Sequence, residues 1–142
     1  MLRSIVVAFL LVVGHLCAQS DTRWAPLQFM LGKWKAETGG FSLLPELNGQ
    51  VLVRRNVNNT PGQKHEDIMT VYNEDGPRAI YFDTEGHTIH YRVSFPAKNQ
   101  AVFDSEGGGP KYRLSYALDG AKLNGKFEVD GKPYLTWTTV RE

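Results

Sequence analysis

The sequence predicts an all-β fold: a single antiparallel up-and-down β-barrel of about ten strands, preceded by a short N-terminal helix. Short runs rich in β-branched and aromatic residues recur along the chain, and Gly, Pro, Asn or Asp bounds each of them. No helical pattern of crossover length separates two runs, so neighbouring strands are expected to be antiparallel. An open sheet of this size would expose two edges, whereas a closed barrel has none.

The chain begins with the features of a secretory signal peptide. Arg3 supplies a positive charge, residues 5–13 form an apolar run, and Ala18 is a small residue suited to cleavage. The apolar run falls far short of the roughly 20 residues that span a bilayer as a helix. We therefore predict a signal peptide at residues 1–18, a barrel domain at residues 19–142, a secreted or periplasmic location and no stable membrane insertion.

Cysteine content and charge limit the chemistry of the mature chain. Cys17 is the single cysteine and precedes the predicted cleavage site, so the mature protein would contain no disulfide and no thiol nucleophile. Lipid attachment at Cys17 is not expected, because lipoprotein sites have a small residue immediately before the cysteine and Leu16 occupies that position here. The chain has 16 basic and 15 acidic residues, and loss of Arg3 makes the two numbers equal. This balance argues against a nucleic-acid or anionic-membrane partner.

The elements follow one another in a regular order. Pro26 suits the first turn of a helix, and the apolar residues after it predict a short helical lid. Asp130-Gly131 favours a two-residue hairpin turn, because both residues readily adopt positive φ angles. Further reversals are predicted at Asn48-Gly49, Asp75-Gly76, Glu85-Gly86 and Asp119-Gly120. The predicted strands are 33–38, 41–44, 50–56, 67–72, 78–83, 88–95, 101–105, 112–117, 122–129 and 134–141.

Polar side chains are most concentrated in the hairpin of residues 79–95. Tyr81 and Asp83 lie two apart on one strand and therefore share a face. On the next strand, one face carries two polar residues and the other carries apolar ones. We favour the apolar face inward, because so small a chain must build its core there, but a polar cavity would exchange the two faces. The polar pair is His90 and Arg92, and the apolar set is Tyr91, Val93 and Phe95.

Arg54 and Arg55 are adjacent on a predicted strand, so one of them must point into the barrel. An unpaired buried charge costs several kcal/mol, so the inward arginine needs a negative partner. Asp67, Asp83 and Glu66 are the internal candidates. The alternative is a carboxylate or phosphate on a bound ligand.

Motifs for catalysis or metal binding are weak. None of the serines lies in a G-x-S-x-G turn. His65-x-Asp67 and His87-x-x-His90 contain metal-ligand side chains, but this spacing is not an established zinc pattern. Residues three apart on a strand point to opposite faces, so these two histidines converge only if His87 lies in the turn. We therefore assign no catalytic residue and no metal ligand.

The segment 27–34, LQFMLGKW, resembles the opening of the calycin superfamily, especially its bacterial lipocalin-like and nitrobindin-like members. The blocks 65–67, 81–83 and 85–87 resemble a group of uncharacterised secreted bacterial proteins with the same barrel. The resemblance implies that Trp34 closes one end of the barrel beneath Arg141. Nitrobindin-like members bind haem through a histidine near the C-terminus, but residues 134–141 contain none. Haem is therefore not expected, and the cofactor is left unknown.

These observations lead us to expect a secreted barrel, without intrinsic catalysis, that binds one small apolar or amphipathic molecule, with or without an anionic group. One alternative is a barrel enzyme that uses a His/Asp pair such as His90 with Asp83, with or without a metal. Another is a structural or interaction module filled by its own side chains. An enclosed pocket of roughly 300 Å³ or more would favour ligand binding. The candidate ligand-binding residues are Arg54, Arg55, Asp67, Tyr81, Asp83, His90 and Tyr91.

Overall fold

The computed structural model describes residues 22–142. They form ten antiparallel strands in one closed barrel, in which each strand pairs with the next and the first pairs with the last. The predicted all-β up-and-down barrel with a short N-terminal helix is therefore confirmed. The predicted signal peptide and its cleavage site lie outside the described residues. The strands are β1 (Gly32–Ala36), β2 (Gly39–Glu46), β3 (Val51–Thr60), β4 (Gln63–Asn73), β5 (Pro77–Asp83), β6 (Thr88–Ser94), β7 (Gln100–Ser105), β8 (Tyr112–Asp119), β9 (Lys122–Val129) and β10 (Lys132–Arg141).

The hairpin between β3 and β4 is longer than the sequence predicted. The predicted strands ended at residue 56 and resumed at residue 67, because Asn, Thr, Pro and Gly between them are typical of turns. In the structure, pairing continues through Asn58 opposite His65 to Thr60 opposite Gln63. Cross-strand pairing outweighs the weak local preference of these residues. The longer hairpin places His65 on a strand rather than in a loop.

The turn at Asp130-Gly131 has the predicted geometry. Asp130 has a φ of 49° and Gly131 a φ of 76°, and the flanking residues Val129 and Lys132 pair directly. Two successive positive φ angles are typical of the type I′ turn, whose twist matches that of the strands.

A 3₁₀-helical segment, Thr22–Met30, which is kinked at Trp24, covers one end of the barrel. Its residues Trp24, Leu27 and Met30 are buried in the same core as the strand residues. The indole of Trp34 donates a hydrogen bond of 2.8 Å to the Met30 carbonyl, which fixes the helix to β1. The guanidinium of Arg141 lies 4.3 Å from the centre of the Trp34 ring. The arrangement that the resemblance implied for Trp34 and Arg141 is thus present. We call this end of the barrel the lid end, and the opposite end the hairpin end.

The core occupies the barrel interior, from the lid end toward the hairpin end. Tyr91 and Val93 point inward and are buried, whereas His90 and Arg92 are exposed on the outer face. The choice of the apolar face of this strand as the inner face is therefore confirmed. The largest side chains that are fully buried here include Trp34, Tyr91, Phe103 and Tyr116. The described residues contain no helix with the length and apolar character needed to cross a membrane.

Candidate functional site

Arg54 is the arginine that points into the barrel. It is 4% exposed, while Arg55 is exposed on the outer face and pairs with Glu46. The Nη1 of Arg54 lies 2.5 Å from Oδ1 of Asp67, which is itself 6% exposed. Of the three internal carboxylates that the sequence offered as partners, Asp67, on the neighbouring strand β4, is the one that pairs with this arginine.

Two polar atoms near Arg54 have no hydrogen-bond partner. Within residues 22–142 these buried atoms are the Nε of Arg54 and the hydroxyl of Tyr116. Both side chains contact Phe41: the Arg54 guanidinium lies 5.1 Å from its ring centre and the Tyr116 ring 5.9 Å. Burial raises the pKa of Tyr116 to about 12, although the Arg54 charge opposes this shift. The two side chains that carry the unpartnered atoms therefore pack against the same aromatic ring in the barrel interior.

Asp67 connects Arg54 to His65. Its Oδ2 accepts a hydrogen bond of 2.8 Å from the side-chain amide of Asn56 and lies 3.1 Å from His65 Nε2. The other ring nitrogen of His65, Nδ1, is 2.9 Å from Glu85 Oε2. Burial would lower the pKa of His65, but hydrogen bonds to Glu85 and Asp67 outweigh that effect and raise it. His65 therefore lies between two carboxylates and is favoured in its charged form.

Asp83 organises the turn after β5. Its Oδ1 accepts hydrogen bonds from the backbone amides of Glu85 and His87, at 3.0 and 2.9 Å. Its Oδ2 lies 2.8 Å from His87 Nδ1 and 3.2 Å from the Tyr81 hydroxyl. Burial would raise the pKa of Asp83, but hydrogen bonds from the His87 backbone and ring lower it. The Tyr81 hydroxyl is also 3.3 Å from His65 Nε2, so it links Asp83 to His65.

These residues form one connected group at the hairpin end, which we call the polar cluster. The polar cluster consists of Arg54, Asn56, His65, Asp67, Tyr81, Asp83, Glu85 and His87.

The opposite side of the barrel mouth is aromatic. In the closed strand order, β8 to β10 lie across the barrel from β3 to β5, which carry most of the polar cluster. Tyr112 and Phe127 stack at 5.8 Å, and Trp137 contacts the edge of Tyr116 at 5.9 Å. Tyr112, Phe127 and Trp137 are only half-buried, so this surface is partly open to solvent. We call these three residues the aromatic wall.

The structure brings together only some of the candidate residues. Arg54, Asp67, Tyr81 and Asp83 belong to the polar cluster. Tyr91 lies deeper, packed edge-on against Phe103. Burial raises the pKa of Tyr91, and the Arg54 charge opposes this. Arg55 and His90 are on the outer face and join neither the cluster nor the wall. The pairing of His90 with Asp83 is therefore not formed.

Sequence reasoning assigned no role at the site to Asn56, Glu85, His87 or Tyr116. The alternation of side chains along a strand offered one usable signal for Asn56. It is two residues from Arg54 and must therefore lie on the same face of the strand. Glu85 and His87 are turn residues, and Tyr116 lies across the barrel, so no local periodicity connects them to Arg54.

Two partly open grooves lie at the lid end. One, of about 300 Å³, runs between the 3₁₀ helix and the turn after β2, and the other, of about 260 Å³, lies beside Trp34 and Arg141. Both are half open to solvent, and neither includes a candidate ligand-binding residue. Neither groove is therefore the enclosed ligand pocket that was expected from the sequence.

Comparisons with known proteins leave the fold and the site as the basis for assigning a function. No protein-family model matches the chain, and no curated protein matches it.

Proposed function

We propose that this protein is a secreted, calycin-like barrel that binds one small amphipathic molecule at its hairpin end, without intrinsic catalysis. The observation that carries the proposal is the pair of buried, unpartnered groups, Arg54 Nε and the Tyr116 hydroxyl. A buried polar atom without a partner costs about 1–3 kcal/mol, so such atoms usually meet a water or a ligand. Both atoms can donate a hydrogen bond, so a ligand atom that accepts hydrogen bonds is a suitable partner for them.

The charge around Arg54 favours a neutral acceptor, such as a carbonyl oxygen. Asp67 already balances the guanidinium at 2.5 Å. An anionic group would add a negative charge beside Asp67, and like charges at short range repel. We therefore narrow the expected ligand to one without an anionic group at this position.

The aromatic wall suits the apolar part of such a molecule. Tyr112, Phe127 and Trp137 pack against the buried core and remain half-buried themselves. Flat aromatic surfaces bind apolar groups by stacking and by removing area from water. A ligand that stacks here can direct its polar end toward Arg54 and Tyr116.

One experiment tests location and binding together. The protein is recovered from the extracytoplasmic fraction of its host and its intact mass is measured under denaturing and native conditions. Cleavage after Ala18 gives a chain that begins at Gln19, and a retained ligand adds mass only under native conditions. A full-length mass would contradict the proposed export.

A matched pair of probes then tests the acceptor site. Calorimetric titration compares 2-acetylnaphthalene with 2-isopropenylnaphthalene, which has nearly the same shape but carries a CH2 group in place of the carbonyl oxygen. We expect the ketone to bind more tightly, and Tyr116→Phe to weaken it about three- to tenfold, as loss of one hydrogen bond predicts. Tyr72→Phe, which removes a hydroxyl outside the cluster, is the control. Equal affinities for the two probes would exclude the acceptor site, and failure of both to bind would favour a barrel filled by its own side chains.

A further inference from the structure

The polar cluster contains three side chains that can converge on one metal ion. The ligand atoms of His65, Asp83 and Glu85 all lie within 4.8 Å of one another. Ligands of a tetrahedral zinc ion, at about 2.0–2.2 Å from the metal, stand roughly 3.4 Å apart, so shifts of an ångström or less bring them into place. We propose that these three residues form a site for a divalent first-row transition metal ion such as Zn²⁺, at the rim of the barrel mouth. This site is independent of the small-molecule site proposed above.

His65 has the surroundings of a metal-binding imidazole. Metal-bound histidines usually donate their second ring N–H to a carboxylate, which sets the tautomer and the ring orientation. In this protein Nδ1 faces Glu85, and Nε2 lies 3.1 Å from the buried carboxylate of Asp67. Asp67 lies outside the three ligands and is itself held by Arg54 and Asn56. We therefore assign Nδ1 to the ion, which displaces the proton from that nitrogen, and Nε2–H to Asp67.

Asp83 is held in position before any ion binds. Two backbone amides and His87 fix its carboxylate, and its side chain is 6% exposed. Glu85, in contrast, is exposed on the turn, where its carboxylate contacts His65 and the Thr84 hydroxyl, and its side chain can adjust to the ion. Two preset ligands and one adjustable ligand reduce the reorganisation that binding requires.

The charges of the site match a divalent cation. Arg54 balances Asp67, so the two ligand carboxylates, Asp83 and Glu85, offset the two positive charges of the ion. The imidazole favours transition metals over Mg²⁺ or Ca²⁺, which prefer oxygen ligands alone. Three protein ligands leave at least one coordination position for water.

The test uses tag-free protein that has been dialysed against a chelator and then against metal-free buffer. Zn²⁺ alone is titrated by calorimetry, and Co²⁺ alone is followed by its visible absorption, which reports coordination geometry. We expect saturable binding with one ion per chain, and Glu85→Gln to weaken it at least about tenfold, the lower limit known even for residues that only orient metal ligands. Glu66→Gln removes an exposed carboxylate that pairs with Lys64 on the outer face, and it should bind as the wild type does.

His65→Gln and His90→Gln form a second matched pair. His65→Gln should abolish the Co²⁺ spectrum, whereas His90→Gln should leave it unchanged, because His90 lies on the outer face. A rise in thermal midpoint on adding Zn²⁺, seen in the wild type and absent in Glu85→Gln, supports the site even where His65→Gln folds poorly. The proposal is overturned by the absence of saturable wild-type binding below millimolar metal. Wild-type affinity in Glu85→Gln would overturn it as well.

Discussion

Asp67 is the residue on which most of the polar cluster depends. It neutralises the buried Arg54 and accepts hydrogen bonds from Asn56 and His65. A buried ion pair gives little net stability compared with apolar residues of the same shape, but removing one partner leaves an uncompensated charge. Removal of either partner is therefore expected to destabilise the fold by more than the intact pair stabilises it.

At the scale of the single residue we predict the effect of Asp67→Asn. It should lower the free energy of unfolding by about 3–5 kcal/mol, because Arg54 stays buried without its counter-charge. Urea denaturation measures the loss. Glu46→Gln, which breaks the exposed pair with Arg55, should cost less than about 1 kcal/mol. If the two variants are equally stable, Asp67 is not the counter-charge of a buried arginine.

Gly125 on β9 shows how one strand determines the aromatic wall. A Cβ atom at this position would lie 2.1 Å from the Trp137 indole on the paired strand β10. The absence of a side chain allows the indole to lie directly on the β9 backbone, beside Tyr116. The position of Trp137 in the barrel mouth therefore depends on a glycine in the neighbouring strand.

At the scale of the element we predict the effect of Gly125→Ala. The added methyl group must displace the indole, so the variant should lose about 1–3 kcal/mol of stability, as in other overpacked cores. Its near-ultraviolet circular dichroism should also change, because the surroundings of Trp137 change. Gly108→Ala is the control, since a Cβ there meets nothing within 4 Å. An unchanged spectrum for Gly125→Ala would contradict the described position of Trp137.

Closure of the barrel joins the two ends of the described chain. β1 and β10 pair through Trp34 opposite Arg141 and Lys35 opposite Val140. Arg141 also donates hydrogen bonds to the carbonyl oxygens of Leu31 and Phe29. One side chain thus holds the last strand, the first strand and the 3₁₀ helix together at the lid end.

For the whole molecule we predict the effect of Arg141→Met. The variant loses a cation over an aromatic ring, worth roughly 0.5–2 kcal/mol, and two hydrogen bonds to backbone carbonyls. Its thermal midpoint should fall, and hydrogen exchange should become faster in β1 and β10 before the other strands. Arg113→Met, which breaks an exposed pair with Asp104, should change the midpoint little. Uniform exchange in all strands would argue against Arg141 as the closure contact.

The sequence by itself determined the fold class, the approximate strands, the turns at Asp-Gly and Asn-Gly, and the alternation of faces along each strand. These properties follow from local propensity and from the side-chain period of two along a strand, and both can be recognised in a single sequence. The same period required that one of Arg54 and Arg55 point inward, and placed Tyr91 on the opposite face from His90.

Only the tertiary structure decided which arginine is inside and which side chains meet around it. Register and closure depend on pairings between distant residues, such as Asp67 with Asp83 and Trp34 with Arg141, and no local pattern encodes them. The convergence of His65 with Asp83 and Glu85 likewise depends on the pairing of β4 with β5 and on the turn that follows. The candidate site is therefore a product of barrel closure, which brings polar residues from separate strands to the same end.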